Sequence, residues 1–326
     1  MRRRHLTLAA LATSAIFSGA GWAPVAVASP PVAEWKAQLP GVYRYRLGDF
    51  QITALSDGTV PQDLHALLTR TTPSEVDALL HHSFLKNPIE TSINAFLIDT
   101  GSRLVLVDTG AGQLFGPGLG GKLLTSLAAA GYQPEQIDDI LITHIHTDHS
   151  GGLVNGGRRV FPNATVHVGK PDLDLFLNPA NVGAGGIDRK LFEEAVKTVG
   201  RYLLAGKVKP FTGRKEILPG ITAIPTPGHT PGHSFYLIES RGQQLEMWGD
   251  ILHFAAVQFP RPAITVTYDV DSSAAAAQRA NQLAAAAAER RLVAVAHTPF
   301  PGIGHVRPEA SGYSWVPIEY FNRDAQ

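Results

Sequence analysis

The ten residues THIHTDHSGG at 143–152 constrain this chain more than any other segment. They continue Ile137–Thr143, an apolar run that reads as a strand. Side chains two apart on an extended chain leave the same face, so His144 and His146 can hold one cation together. The chain turns at Thr147, which aims Asp148 and His149 at a neighbouring position. Ser150-Gly151-Gly152 then permits a tight turn, because glycine carries no Cβ. Imidazole and carboxylate donors suit borderline divalent cations, zinc foremost. The spacing therefore predicts a centre of two divalent metal ions at a strand's carboxyl end, where loops from other strands can reach it.

Three later residues stand in similar places. His229 lies in the doublet TPGHTPGH at 226–233, just past a strand ending near Pro225. Asp250 follows the strand LEMWG, and His297 follows LVAVA. Asp108, also just after a strand, is placed to hydrogen-bond the histidine loop, and His233 reads as support for the doublet's turn. His65, His81, His82, His167 and His305 have no ligand spacing. Two other patterns fail on their chemistry. The glycine-rich run at 116–122 is followed by Leu123, where a phosphate loop needs Ser or Thr for Mg²⁺. Asp108-Thr109-Gly110 has no second copy to supply the paired carboxylate of an aspartic protease.

Composition narrows the functional classes. Of 326 residues, 28 are Lys or Arg and 28 are Asp or Glu, so the chain has no net field for polyanions and no nucleic-acid partner is expected. The absence of Cys excludes disulfides, thiolate zinc sites and Cys nucleophiles. Residues 1–28 have the layout of a cleavable secretory signal: Arg2, Arg3 and Arg4, an apolar run Leu6–Phe17, then Ala26-Val27-Ala28. The Arg pair before His5 also permits twin-Arg export. The expected mature chain is a single hydrolase domain over 29–326, periplasmic or secreted, with no membrane contact after cleavage.

Periodicity predicts hairpins over Val42–Leu47/Phe50–Leu55 and Ala95–Asp99/Leu104–Val107. Further strands are expected at Thr165–Val168, Ile221–Ile224, Ser234–Ile238, Gln244–Trp248 and Leu292–Ala296. Helices are expected at Pro73–His82, Leu123–Ala130, Asp172–Leu177, Asp188–Leu203 and Asp271–Arg291. The last is Ala-rich, which suits close packing on a sheet. Asn178–Gly186 reads as a loop. This order predicts an α+β chain of two mixed sheets face to face with helices outside.

The histidine pattern resembles the metallo-β-lactamase superfamily, over about Pro40 to Val316. The stretches PGVYRYRLGDFQITALSDGT, LVLVDTGAGQLFGPGLG, AAGYQPEQIDDILITHIHTDHSGGL and HTPFPGIGHVR look most like its methyl parathion hydrolase-like and lactonase branch. The resemblance implies the αββα sandwich. It implies one metal on His144, His146 and His229, a second on Asp148, His149 and His297, and Asp250 with a hydroxide bridging them. Coordination can bring the pKa of water down to about 7, which makes hydroxide available at neutral pH. The implied reaction is hydrolysis of a small apolar ester, lactone or phosphotriester, with Asp148, Asp250 and His253 catalytic. Phe115, Phe176 and Phe192 match the branch's aromatic pocket positions, and Leu67, Val266 and Tyr268 fall near others. His253 stands where parathion-type enzymes are apolar and related lactonases carry a substrate-contacting Tyr. Leu67 stands where the parathion hydrolase has Arg. These departures favour lactones or aryl esters, with a phosphotriesterase as the alternative. A β-lactamase or a non-catalytic metal-binding protein fits less well, because the Cys ligand of one class is absent and every ligand position is filled. The branch also implies a homodimer.

Overall fold

Alternation along the strands sets the layers. In Ile89–Asp99, Ala95 and Leu97 turn to one side and Phe96 and Ile98 to the other, and all four are buried. In Ser234–Ser240, Tyr236 and Ile238 face one core while Phe235 and Leu237 face another. Strands apolar on both faces must be covered on both faces. The computed structural model describes residues 38–183 and 187–323. The signal expected over 1–28 and part of the expected loop at 178–186 lie outside these residues.

Two seven-stranded sheets result. The first takes β1 (Val42–Leu47), β2 (Phe50–Gln62), β3 (Ile89–Asp99), β4 (Leu104–Val107), β5 (Asp139–Leu141), β6 (Thr165–Gly169) and β7 (Val208–Phe211), in that spatial order. The first four strands pair antiparallel, and β4 to β7 run parallel. The second takes β8 (Lys215–Leu218), β9 (Ile221–Pro225), β10 (Ser234–Ser240), β11 (Gln243–Met247), β12 (Leu292–Ala294), β13 (Ile303–Pro308) and β14 (Tyr313–Pro317). Here β11 and β12 are parallel and the other neighbours antiparallel. One core, with Ile52, Phe96, Val107 and Leu141 meeting Ala223, Tyr236, Met247 and Ile303, lies between the sheets. A second lies between the first sheet and helices carrying Leu127, Phe176, Ala195 and Tyr202. A third lies between the second sheet and Leu283 and Ala286 of the Ala-rich helix. This is the expected αββα sandwich. No helix among the described residues is long and apolar enough to cross a membrane.

The helix ends follow ordinary capping chemistry. Thr72 accepts from the Glu75 amide at 3.2 Å ahead of Pro73–His82, and Asp271 accepts from the Ser273 and Ala274 amides ahead of Ser272–Glu289. Alanine lets that last helix come close: a Cβ on Gly228 would lie 2.4 Å from the Ala275 nitrogen. The helix expected over Asp188–Leu203 is instead two, Arg189–Lys197 and Val199–Leu204. The break is at Thr198, whose backbone leaves the helical region (φ −103°, ψ −88°) while its amide and hydroxyl both donate to the Glu194 carbonyl, at 3.0 and 2.8 Å. Strands β7, β8, β13 and β14 were not expected. Pro210 sits in β7, tolerable because β7 is a sheet edge. The β13–β14 hairpin pairs Gly304 with Pro317 and Pro308 with Tyr313 and shows no clean alternation.

Strand β2 carries a bulge between Ser56 and Gly58 that frees Asp57 from the ladder. Asp57 is buried, and its carboxylate accepts from the amides of Ala111 (2.9 Å), Gly121 (2.8 Å) and Leu123 (2.8 Å). It thereby ties the 108–123 loop to the sheet. Asp57→Asn turns an NH₂ group against backbone donors and should lower stability by about 2–4 kcal/mol, measured by urea unfolding.

Candidate metal centre

Four strand ends converge on one edge of the sandwich. His144, His146, Asp148 and His149 follow β5, His229 lies between β9 and β10, Asp250 follows β11 and His297 follows β12. Donor atoms of His144, His146, His229 and Asp250 all lie within 4.8 Å of one another, and so do those of Asp148, His149 and His297. Asp250 joins the two groups. Its Oδ2 is 3.2 Å from His229 Nε2 and 3.6 Å from His144 Nε2, while its Oδ1 is 3.1 Å from both His149 Nε2 and His297 Nε2. Asp148 stands 3.5 Å from His297 Nε2. The structure thus gathers all seven side chains named from the sequence.

The outward bonds of the rings decide what they offer inward. His149 Nδ1 donates to Asp108 Oδ2 at 2.8 Å, His229 Nδ1 to Asp269 Oδ1 at 2.8 Å, and His297 Nδ1 to the Ser92 carbonyl at 2.9 Å. Each acceptor fixes the proton on Nδ1 and leaves a bare lone pair on the inward Nε2. The Thr143 hydroxyl donates to Asp108 and accepts from His144 Nδ1 at 3.1 Å, with the same effect. His146 aims Nδ1 inward, 3.0 Å from both His144 Nε2 and His229 Nε2. Lone pairs aimed at one another and at a carboxylate repel. His149 Nε2 and Asp250 Oδ1, both buried, have no hydrogen-bond partner. Two divalent cations satisfy this donor set; hydrogen bonds do not.

Charge divides the five rings. Burial, then the neighbouring imidazoles, hold His144 and His146 well below the usual histidine range, whereas against the opposing effect of burial Asp250 and its neighbouring carboxylates pull His149, His229 and His297 above it, so cations would displace protons from those three. Burial opposes the charge on Asp250, but the imidazoles of His149, His297, His253 and His144 outweigh it and hold the carboxyl well below its usual range. His233 was read as support for the turn, and its Nε2 accepts the Asp250 amide at 3.0 Å. Asp269 and the Ser92 carbonyl carried no sequence signal, since neither sits at a recognisable distance from its histidine.

Gly151 and Gly152 are needed for a reason other than turning. Added Cβ atoms would lie 2.2 Å from the Ala111 carbonyl oxygen and 1.9 Å from that of Thr109. The loop that carries Asp108 therefore lies directly on the histidine loop.

A cavity of about 240 Å³ opens over the cluster. His146, Asp148, Asp250, His253 and His297 form its polar side, and Val60, Phe115, Leu191, Phe254 and Tyr268 its apolar side. Of the pocket residues expected from sequence, Phe115, His253 and Tyr268 lie on its wall. The other four do not line it. Leu67 and Val266 pack into a satellite core with Leu64 and Leu80. Phe176 is fully buried behind His146, ring centroids 5.6 Å apart. Leu191 and Phe192 both pack on the helix-side core, and of the two Leu191 also lines the cavity.

The profile of the metallo-beta-lactamase superfamily matches residues 88–297. An N-acyl homoserine lactonase of a Bacillus species is 28% identical over 170 residues, 47% of this chain and 60% of that protein. The N-acyl homoserine lactonase AttM of Agrobacterium fabrum is 30% identical over 113 residues, 34% of this chain and 40% of that protein. The chain thus spans about half the length of these curated relatives. Among solved structures, hydrolase AbOPH of the beta-lactamase superfamily matches with TM-score 0.82 and 36% identity, over 88% of this chain and 100% of that one. AidC, a dizinc quorum-quenching lactonase in complex with a product, N-hexanoyl-L-homoserine, matches with TM-score 0.79 and 29% identity, over 87% and 99%.

Because the donors repel without cations, metal should stabilise the fold. Zinc at 100 times its Kd should add about 2.7 kcal/mol, or roughly 4–5 °C in Tm, read by calorimetry of chelator-treated protein with and without the metal.

Proposed function

This chain belongs to the metallo-beta-lactamase superfamily, and from that premise we propose that it is a dinuclear metal-dependent hydrolase that opens lactones and cleaves aryl esters. The observation that carries the proposal is the Asp250 carboxylate, set between two imidazole groups on the floor of an apolar cavity. His144, His146 and His229 would hold one cation, Asp148, His149 and His297 the other, and Asp250 both. Bound there, two zinc ions would supply a Lewis acid and hydroxide at neutral pH. The product held by AidC and the lactonase names of the curated relatives support a lactone as the substrate class.

The chain's own residues account for binding and proton handling. Val60, Phe115, Leu191 and Phe254 offer an apolar wall for an acyl chain or aryl ring. Hydrolysis adds hydroxyl to the acyl carbon and a proton to the leaving oxygen. His253 is placed beside that oxygen. Its Nε2 lies 2.9 Å from Asp250 Oδ2, and its ring lies on the cavity wall, 5.2 Å from the Tyr268 ring. Burial keeps the His253 imidazole down at about 4, so at neutral pH the ring is uncharged and donates its one N–H, at Nε2, to Asp250. As a neutral ring it can turn this N–H to the substrate oxygen as a hydrogen-bond donor, while the leaving alkoxide takes its proton from the hydroxyl added to the acyl carbon, which is left as a carboxylate.

The proposal includes export. The order of residues 1–28, basic, apolar, then small, supports it. Cell fractionation with amino-terminal sequencing should find a mature chain starting near Ser29 outside the cytoplasm; a full-length chain inside would overturn this part.

A substrate panel tests the activity. The kcat/KM for an acylated γ-lactone should exceed those for an aryl acetate and a dimethyl aryl phosphotriester; the reverse ranking selects the phosphotriesterase reading. Asp250→Asn should cost more than about 10²-fold in kcat, since even outer partners of metal ligands are worth 10–100-fold. His253→Phe should lower kcat by about 10²-fold or more with both metals retained. Full turnover in a verified metal-free protein would defeat the whole reading.

A further inference from the structure

Asp172 is acidic, fully buried and outside both donor groups, yet it touches the loops that carry three of the histidines. Its Oδ2 accepts from the Ile145 amide at 2.9 Å and from the Thr230 hydroxyl at 2.9 Å. Its Oδ1 accepts from the Gly232 amide at 2.6 Å. Ile145 lies between His144 and His146, and Thr230 follows His229. The helix Lys170–Phe176 that carries Asp172 leaves β6 of the first sheet, whereas the 226–233 turn joins β9 to β10 of the second. One carboxylate therefore bonds across the seam between the two sheets, on the outer side of the loops that present His144, His146 and His229.

The seam is close. A Cβ on Gly232 would lie 2.5 Å from the Asp172 nitrogen, and one on Gly169 would lie 2.3 Å from the Gly232 carbonyl oxygen. No side chain larger than glycine fits at either position without a shift of the seam. The other donor group is anchored elsewhere, His149 on Asp108 and His297 on the Ser92 carbonyl, with no bond to Asp172.

We propose that Asp172 is a positioning residue for the cation held by His144, His146 and His229, and that it sets the affinity of this position separately from its neighbour. The proposal rests on the dinuclear reading above. The physical reason is donor count. Three donors converge on Asp172, and an ionised carboxylate accepts all of them while offering no donor in return. Asparagine would keep one oxygen and turn an NH₂ toward the other donors. Thr230→Val would remove one of the three bonds and leave the carboxylate in place.

Cobalt(II) titration of the metal-free full chain, followed by calorimetry and visible absorption, tests this. His297→Ala isolates the first position and His146→Ala the second. Adding Asp172→Asn to the His297→Ala background should weaken cobalt binding 10–100-fold and alter the absorption bands. Adding it to the His146→Ala background should leave affinity and spectrum unchanged. Thr230→Val should weaken the first position by a smaller factor, and it carries the test if Asp172→Asn does not fold. Unchanged affinity in the His297→Ala background overturns the proposal. Equal weakening in both backgrounds overturns it too, because it marks a general loss of structure. Failure of the wild-type chain to take up any cobalt overturns the dinuclear reading, and this proposal with it.

Discussion

Asp250 places both carboxylate oxygens against imidazole nitrogens in the protein interior, Oδ1 against His149 and His297, Oδ2 against His144, His229 and His253. Removing such a charge from water costs several kcal/mol even after relaxation. The surrounding imidazoles offset that cost only while they hold protons, and as neutral ligands with inward lone pairs they do not. The arrangement is reasonable only as one half of an ion assembly. The same argument explains why the rings are bonded on their outer sides: Asp108, Asp269 and the Ser92 carbonyl each take a proton outward and leave a donor pair facing in.

Holding seven donors in place falls to the backbone. Asp108 sits in the left-handed region, φ 58°, a conformation that costs a non-glycine residue of order 1 kcal/mol and is kept by the bonds it makes. Gly151 and Gly152 bring the Asp108 loop and the histidine loop into direct backbone contact. Gly228 does the same between the His229 turn and the Ala-rich helix. In each case a missing side chain lets the segment that carries a ligand lie directly on the backbone of another element, the kind of support that a metal site needs.

The cavity follows different rules from the centre beneath it. Its apolar wall is assembled from β2, the 108–123 loop, the helix Arg189–Lys197 and the segment after Asp250. No local pattern links Val60, Leu191 and Phe254, which are hydrophobic residues like any in the core. Motif likeness points to Phe192, Leu67 and Val266, whereas the cavity over the cluster is lined by Leu191, and Leu67 and Val266 pack with Leu64 and Leu80. Which face of an element meets the cavity is a question of rotation by a single residue, and only packing answers it.

The linear chain by itself determined the metal donors, because that chemistry admits few residue types and the chain places them in a compact H-x-H-x-D-H run and at strand ends. It determined the two-sheet architecture as well, since runs buried on both faces, such as Ala95–Ile98, can be satisfied only between layers. Tertiary structure alone decided the rest: that Thr198 splits a helix, that Asp172 and Asp269 reach loops far away in sequence, and that Gly152 serves approach rather than turning. Apart from the break at Thr198, which is local, those outcomes depend on contacts between residues tens of positions apart, and spacing along the chain carries no information about such contacts.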